Sequence, residues 1–388
     1  MMNTLPNTQF SIPTTVRFGA GEIKKIRTFL DLVGSKNPLL MTDPGMVNTP
    51  AFKKILAPLR DGSSDYGLFG DVLPNPTEDN IDDATNQYLG NGHDCVIGFG
   101  GGSALDAAKA VALRATYGGS LEGYSSDLVP RGTLPKIIAV PTTAGTGSEV
   151  GRASVIVLRS TGKKAILLHP DLMPAIAVID PELTVDLPPH LTAATGMDAF
   201  THCLESLTSP EFHPVCDAIA VGGLELTIKN LPVAYRDGKN LEARGYMMIA
   251  AMMGALAFQK DLGAAHSMAH PLSTISGLHH GLANAIVLPT VMEFNREVAE
   301  RHYAKLAHLF NKENVLKPDE EASRIAIERV RELNKDLGIP SSLKEAGVPE
   351  SDLGPLAKQA IADPCHATNA RPCTLEDFQK LFSQAYSG

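Results

Sequence analysis

Met197-Asp198-Ala199-Phe200-Thr201-His202 sets an aspartate and a histidine four residues apart. On a helix that spacing puts both on one face, one turn apart and ~6 Å along the axis, within reach of one metal ion. His266-Ser267-Met268-Ala269-His270 repeats the spacing with two histidines, and His279-His280 follows. A single histidine is more often structural than a ligand. Here five of the twelve histidines gather in these few short windows, which points to a metal. Nitrogen and carboxylate ligands without thiolates suit iron(II), zinc or manganese. Spacing alone does not choose four ligands from these six residues.

Two loops point to a second chemistry. Gly98-Phe99-Gly100-Gly101-Gly102-Ser103 follows an apolar run and opens a helix-like stretch. Glycines let backbone approach a ligand closely, and a helix N-terminus offers unpaired N–H groups to a pyrophosphate. The segment is neither a strict GxGxxG nor a Walker motif, so alone it is equally a plain strand-to-helix turn. Pro141-Thr142-Thr143-Ala144-Gly145-Thr146-Gly147-Ser148-Glu149 is a loop of the same kind, with four hydroxyls for phosphate and ribose oxygens. Asp43 ends another apolar run. A carboxylate there accepts from a ribose 2′-OH and repels a 2′-phosphate, which favours NAD over NADP, although the residue also suits a turn before Pro44-Gly45.

The elements that must position these groups divide the chain in two. Pro38–Asp43, Asp94–Gly98, Lys136–Pro141 and Ala175–Asp180 read as buried strands separated by helices such as Ala104–Leu113. That alternation predicts a parallel sheet covered on both faces, with ligands at the C-terminal strand ends. After Leu187 strand-like runs nearly vanish, and Ala-, Leu- and Met-rich stretches such as 243–259 and 320–333 predict helices. The expected organisation is an α/β dinucleotide-binding domain over residues 1–187 and an all-helical metal-binding, catalytic domain over 188–388. Neither repeats nor low-complexity segments interrupt them.

Bulk properties narrow the class. At 44% hydrophobic and 20% charged, the 388-residue chain reads as an ordinary globular protein. A net charge of −9 argues against nucleic acid and anionic membranes as partners. Five scattered cysteines without a CxxC spacing suggest neither disulfides nor a thiolate zinc site, and fit a reducing cytoplasm. The first residues lack the basic start and apolar run of a signal peptide, and no stretch reaches the ~18 to 20 apolar residues of a membrane span.

With these segments in place, the sequence resembles the iron-containing (group III) alcohol dehydrogenases. The resemblance runs from VRFGAGE near residue 16 to TNARPCTLED near the end, and is strongest at GFGGGSALDAAKA, PTTAGTGSE, ATGMDAFTHCLES, AHSMAHPL and HHGLANAIVLP. It implies an NAD-binding α/β domain, a helical metal-binding domain and catalysis in the cleft between them. Asp198, His202, His266 and His280 match the metal ligands, and His270 a non-ligating histidine beside the nicotinamide. Gly101, Gly102 and Ser103 match the pyrophosphate turn. Thr142, Thr143, Thr146 and Ser148 match the second cofactor loop, Lys164 a cofactor-contacting lysine, and Asp43 and Asn75 the adenosine side. His279 stands where proline commonly precedes the last ligand, Arg152 where smaller residues are common, and Asn369-Ala370-Arg371 where Asn-Pro-Arg is frequent.

The implied reaction interconverts a small primary alcohol, a diol or an ω-hydroxy acid such as 4-hydroxybutyrate, with its aldehyde. It uses NAD and iron(II), or zinc in its place. A Lewis acid lowers the alcohol's pKa, the loops orient the nicotinamide, and His270 or a water relays the proton. A homodimer or larger homo-oligomer is the family habit, and the cysteine pattern places it in the cytoplasm. The rival readings are a related enzyme acting on a phosphorylated or cyclic substrate, like glycerol-1-phosphate dehydrogenases or dehydroquinate synthases, and a non-catalytic scaffold. The first wants a basic cluster near the metal, of which only Lys164 and Arg152 are candidates. The full set of ligand and loop residues argues against the second.

Overall fold

The computed structural model describes residues 14–61, 65–124 and 133–388. The stretch before residue 14, read above as no signal peptide, lies outside them. The described residues form two units, one within 14–187 together with 238–248, the other of 188–237 with 249–388.

The first unit holds, in chain order, β1 (Thr15–Phe18), α1 (Ile26–Val33), β2 (Pro38–Met41), α2 (Pro50–Arg60), β3 (Gly67–Phe69), α3 (Glu78–Gly90), β4 (Cys95–Gly100), α4 (Gly102–Tyr117), β5 (Lys136–Pro141), β6 (Ala153–Val157), β7 (Lys164–Leu168) and β8 (Ile176–Ile179). Six strands pair in parallel in the order β1-β8-β5-β4-β2-β3, while β6 and β7 form an antiparallel pair. Alternate residues face opposite ways, so β2, β4 and β5 each feed two cores. Leu39, Met41, Val96 and Ile137 pack with Ala84 of α3 and Val111 of α4. Leu40, Ile97, Phe99, Ile138 and Val140 pack with Phe29 of α1 and Phe52 of α2. Each of these side chains larger than alanine contributes roughly 1.5–3 kcal/mol by leaving water.

The four strands expected from apolar runs are the four central ones. Edge strands β1 and β3 were not foreseen because they are short and partly exposed, so no apolar run marks them. The β6–β7 pair buries alternate residues of β6 only.

The second unit contains helices and no strand among its described residues: α5 (Pro189–Thr208), α6 (Pro214–Arg236), the later part of α7 (Leu241–Ala257), α8 (Ala264–Thr274), α9 (His280–Phe310), α10 (Asp319–Asp336), α11 (Leu353–Ala360) and α12 (Leu375–Ser387). A boundary at residue 187 leaves out Gly238–Met248, which belongs with the sheet. There Arg244 is buried, donating from Nε to Gly238 O (3.0 Å) and from Nη2 to Leu187 O (3.2 Å).

Helix α5 is buried almost all round from Thr192 to Thr208, which marks it as the central helix of its unit. It packs against α6 and α9. The approach to α9 depends on Gly281, where a Cβ would sit 2.2 Å from Ala194 O and 3.2 Å from Asp198 Cβ. No helix among the described residues is long and apolar enough to cross a membrane.

Candidate metal centre and dinucleotide loops

Asp198, His202 and Glu205 occupy one face of α5 at helical spacing, all of them at least 95% buried. Three imidazoles converge on Asp198 Oδ1: His280 Nε2 at 3.5 Å, His266 Nε2 at 3.8 Å and His202 Nε2 at 4.0 Å. A tetrahedral ion with bonds near 2.1 Å spaces its ligand atoms by ~3.4 Å, so these separations suit one ion with a small inward adjustment. Of the 279–280 pair, it is His280 that faces Asp198; His279 is exposed and precedes the first turn of α9.

Electrostatics agree with a cation site. Burial alone would push the Asp198 carboxyl up, yet His202, His280 and His266 hold it well below the usual carboxylate range. Burial works against a charged His266, but Asp198 and Glu205 beside it raise its pKa to about 9. The His266 Nδ1 donates to Glu205 Oε2 at 2.6 Å, which turns Nε2 toward Asp198, where a metal would take the place of the Nε2 proton. Glu205 Oε1 also accepts from Ala265 N at 2.7 Å, so the same carboxylate holds the start of α8. Asn369 Oδ1 accepts from Ala264 N (3.2 Å) and Asn295 Nδ2 (2.9 Å), giving the C-terminal Asn-Ala-Arg segment a structural task beneath that helix. The donor set, the spacing and the carboxylate behind His266 all fit a divalent ion.

His270 stands apart from this set. Its ring stacks on His280 with centroids 5.2 Å apart, and its Nδ1 lies 2.7 Å from Asp363 Oδ2. Asp363 also accepts from Ser267 Oγ (3.0 Å) and Cys365 N (2.9 Å). Burial raises the Asp363 carboxyl, but these partners, His270 first, bring it to about 2. Being ionised, it fixes the tautomer with the proton on Nδ1 and leaves His270 Nε2 as the acceptor.

In the other unit, the predicted cofactor residues lie at the C-terminal ends of adjacent parallel strands. Asp43 follows β2, the glycine turn follows β4, and the threonine loop follows β5. Helix α4 starts at Gly102 after Gly101, which has no side chain to cap its first turn and so leaves N–H groups for an anion. The two loops touch: a Cβ on Gly102 would meet Thr146 Cγ2 at 2.6 Å, so only glycine fits there. Thr142 N donates to Gly100 O at 2.9 Å. Ser103 Oγ donates to Pro74 O, beside the exposed Asn75, tying the turn to the loop before α3. Asp43 Oδ1 accepts from Met46 N at 3.1 Å, the turn bond also open to it from sequence, while Oδ2 faces the Gly100 turn.

Ser148 is held differently from the other hydroxyls. Its Oγ donates to Asp106 Oδ1 (2.7 Å) and accepts from Lys109 Nζ (2.8 Å). Lys109 is fully buried and also donates to the carbonyls of Ser148, Gly151 and Ala153 at 2.6 to 2.9 Å. Ser148 thus braces the loop from inside. Lys164 opens β7 opposite Val157 and lies in electrostatic range of Asp106. Arg152 is exposed, and His366 is occupied with Ile361 O (3.0 Å) and the edge of Phe378.

Sequence reasoning missed Glu205, Asn284, Asp363 and the Asp106–Lys109 pair. Glu205 and Asn284 were within reach, since they continue the helical faces of Asp198 and His280. Asp363 was not, because it lies 93 residues from its partner.

Comparison with known proteins agrees with this geometry. Residues 13–181 match the family model described as iron-containing alcohol dehydrogenase, and residues 192–386 its C-terminal counterpart. The chain is 37% identical to 4-hydroxybutyrate dehydrogenase of Cupriavidus necator, over 96% of this chain and 98% of that one. It is 33% identical to the NAD-dependent methanol dehydrogenase of Bacillus methanolicus, over 97% and 100%. The crystal structure of a 1,3-propanediol oxidoreductase superposes with a TM-score of 0.95 at 34% identity, covering 98% of this chain and 100% of that one.

Proposed function

The chain belongs to the iron-containing alcohol dehydrogenase family, and from that premise we propose that Asp198, His202, His266 and His280 hold its metal and that it oxidises a short primary alcohol, with ω-hydroxy acids of the 4-hydroxybutyrate type as its preferred class. It is an oxidoreductase that uses NAD and acts on alcohols. The observation that carries the ligand reading is the convergence of three imidazole nitrogens on Asp198 Oδ1. The substrate class rests on the named activity of the hydroxybutyrate relative, which matches the whole length.

When bound, the metal supplies a Lewis acid that lowers the pKa of an alcohol and polarises an aldehyde carbonyl. Glu205 keeps the His266 Nδ1 proton in place, so its Nε2 stays a donor of electrons. The Gly101–Ser103 turn and the Thr142, Thr143 and Thr146 backbone and hydroxyls bind and orient the dinucleotide, with Ser148 and Lys109 bracing that loop. Asp43, Asn75 and Lys164 complete the cofactor set, Asp43 through a ribose hydroxyl. His270 Nε2 holds or moves the proton released on oxidation, its other nitrogen being committed to Asp363. The enzyme works as a homo-oligomer in the cytoplasm. The domains over 1–187 and 188–388 divide the labour between dinucleotide and metal, with Gly238–Met248 packed on the former.

The test is NADH formation by the purified protein after chelation and reloading with iron(II) or zinc, across short alcohols, diols and ω-hydroxy acids. Metal-dependent turnover strongest on the hydroxy acids is expected. Turnover only on phosphorylated polyols, or none with either metal, sinks the reading. His202→Ala should lose metal and activity together, whereas His270→Ala should keep the metal and lose rate.

A further inference from the structure

Asn284 lies one turn beyond His280 on α9 and is fully buried. Its Nδ2 is 2.9 Å from Asp198 Oδ1, 3.2 Å from His266 Nε2 and 3.3 Å from His280 Nε2. Three of the four atoms assigned to the metal therefore surround a single carboxamide nitrogen. Burying an amide costs free energy that an apolar side chain of the same size avoids, so packing alone does not account for it. Its Oδ1 is buried and accepts no hydrogen bond among the described residues, so the nitrogen side carries its polar contacts there.

We propose that Asn284 is a positioning residue of the metal centre, setting the place of Asp198 Oδ1 relative to His266 and His280 without itself being a ligand. An amide nitrogen has no free lone pair to offer a cation, but its two N–H groups draw acceptors toward one point. A carboxylate oxygen has a second lone pair, so Asp198 Oδ1 keeps its bond to Asn284 while facing a cation. An imidazole Nε2 has one lone pair, taken by a proton in a charged ring and by the cation in a ligand, so of the three contacts only the one to Asp198 is compatible with a bound cation. What persists is the bond to Asp198, which selects the oxygen and the rotamer that face the three imidazoles.

The proposal rests on the four-ligand reading above. Its test uses the full-length protein loaded with cobalt(II), which reports coordination through its visible absorption, and chelator competition to measure affinity. In Asn284→Ala and the near-isosteric Asn284→Leu, the cobalt dissociation constant should rise roughly 10- to 100-fold. At saturating cobalt the band should keep the parent's intensity and position. A far-ultraviolet circular-dichroism spectrum and a cooperative thermal melt like the parent's should certify that both variants are folded, the helical unit included. Parent-like affinity in a folded variant overturns the assignment of Asn284 alone. A severalfold change in band intensity at saturation makes Asn284 a ligand through Oδ1 and overturns it as well. Failure of the parent to take up one cobalt per chain overturns both this and the ligand reading.

Discussion

Glu205 Oε2 lies 2.6 Å from His266 Nδ1, so one helix, α5, supplies Asp198 and His202 and also the carboxylate that orients a histidine on α8. Such a partner fixes the ring and strengthens the opposite nitrogen as a ligand. Glu205→Ala should weaken metal affinity by roughly 10- to 100-fold. Glu205→Gln, which still offers an oxygen to Nδ1, should lose less. Chelator competition measures both, and equal losses in the two variants would refute an orienting role.

Gly281 is where α9 meets the backbone of α5, with no room for a Cβ beside Ala194 O. Gly281→Ala must push the start of α9 outward and carry His280 from Asp198. The cost of such overpacking is ~1–3 kcal/mol, visible as a lower melting temperature, together with reduced metal content by elemental analysis. A variant with full metal and an unchanged melt would show that the helices slide apart without moving His280.

Lys109 gathers three carbonyls and the Ser148 hydroxyl beneath the threonine loop. Lys109→Met leaves those acceptors buried and unpaired, at ~1–3 kcal/mol for each that finds no water, and leaves Asp106 without its buried counter-charge. NADH affinity should fall and the protein should melt earlier. Adding Asp106→Asn should restore part of the melting temperature, because one uncompensated charge is then removed. Strict additivity of the two substitutions would separate these residues energetically.

Asp94 binds Ser35 Oγ (2.5 Å), Lys36 N (2.8 Å) and Asn37 N (3.2 Å), stapling the start of β2 to that of β4. Burial is the largest single influence and raises its carboxyl, but these bonds together outweigh it and lower the pKa below the usual 3.8. The sign follows: the stability is present above the unfolded pKa and lost as pH falls through the lower, folded one. Thermal melts should show Asp94→Ala less stable than the parent at pH 7, with the gap closing as pH drops below about 4. A gap that stays constant down to acid pH would mean that the ionised carboxylate contributes nothing.

Central strands, the two loops and the i, i+4 pairs were legible because each is a local pattern. An apolar run, a glycine cluster or a helical spacing records its physics within a few residues. The edge strands were not, since exposure removes the apolar run that would announce them. Ser148 was counted among the cofactor hydroxyls, yet its hydroxyl is engaged by Asp106 and Lys109, a fact no local spacing contains.

By itself the sequence determined the α/β and helical halves, the dinucleotide loops and a pool of six metal-binding candidates, because composition and periodicity dictate elements and supply chemistry. Only the tertiary structure decided which of those candidates meet. His280 and not His279 faces Asp198, Glu205 and Asn284 stand behind the ligands, and Asp363 reaches His270 from far along the chain. The reason is that a metal site is a set of distances among atoms on different helices. Helix packing sets those distances, above all the bare approach at Gly281, and spacing along one chain does not record them.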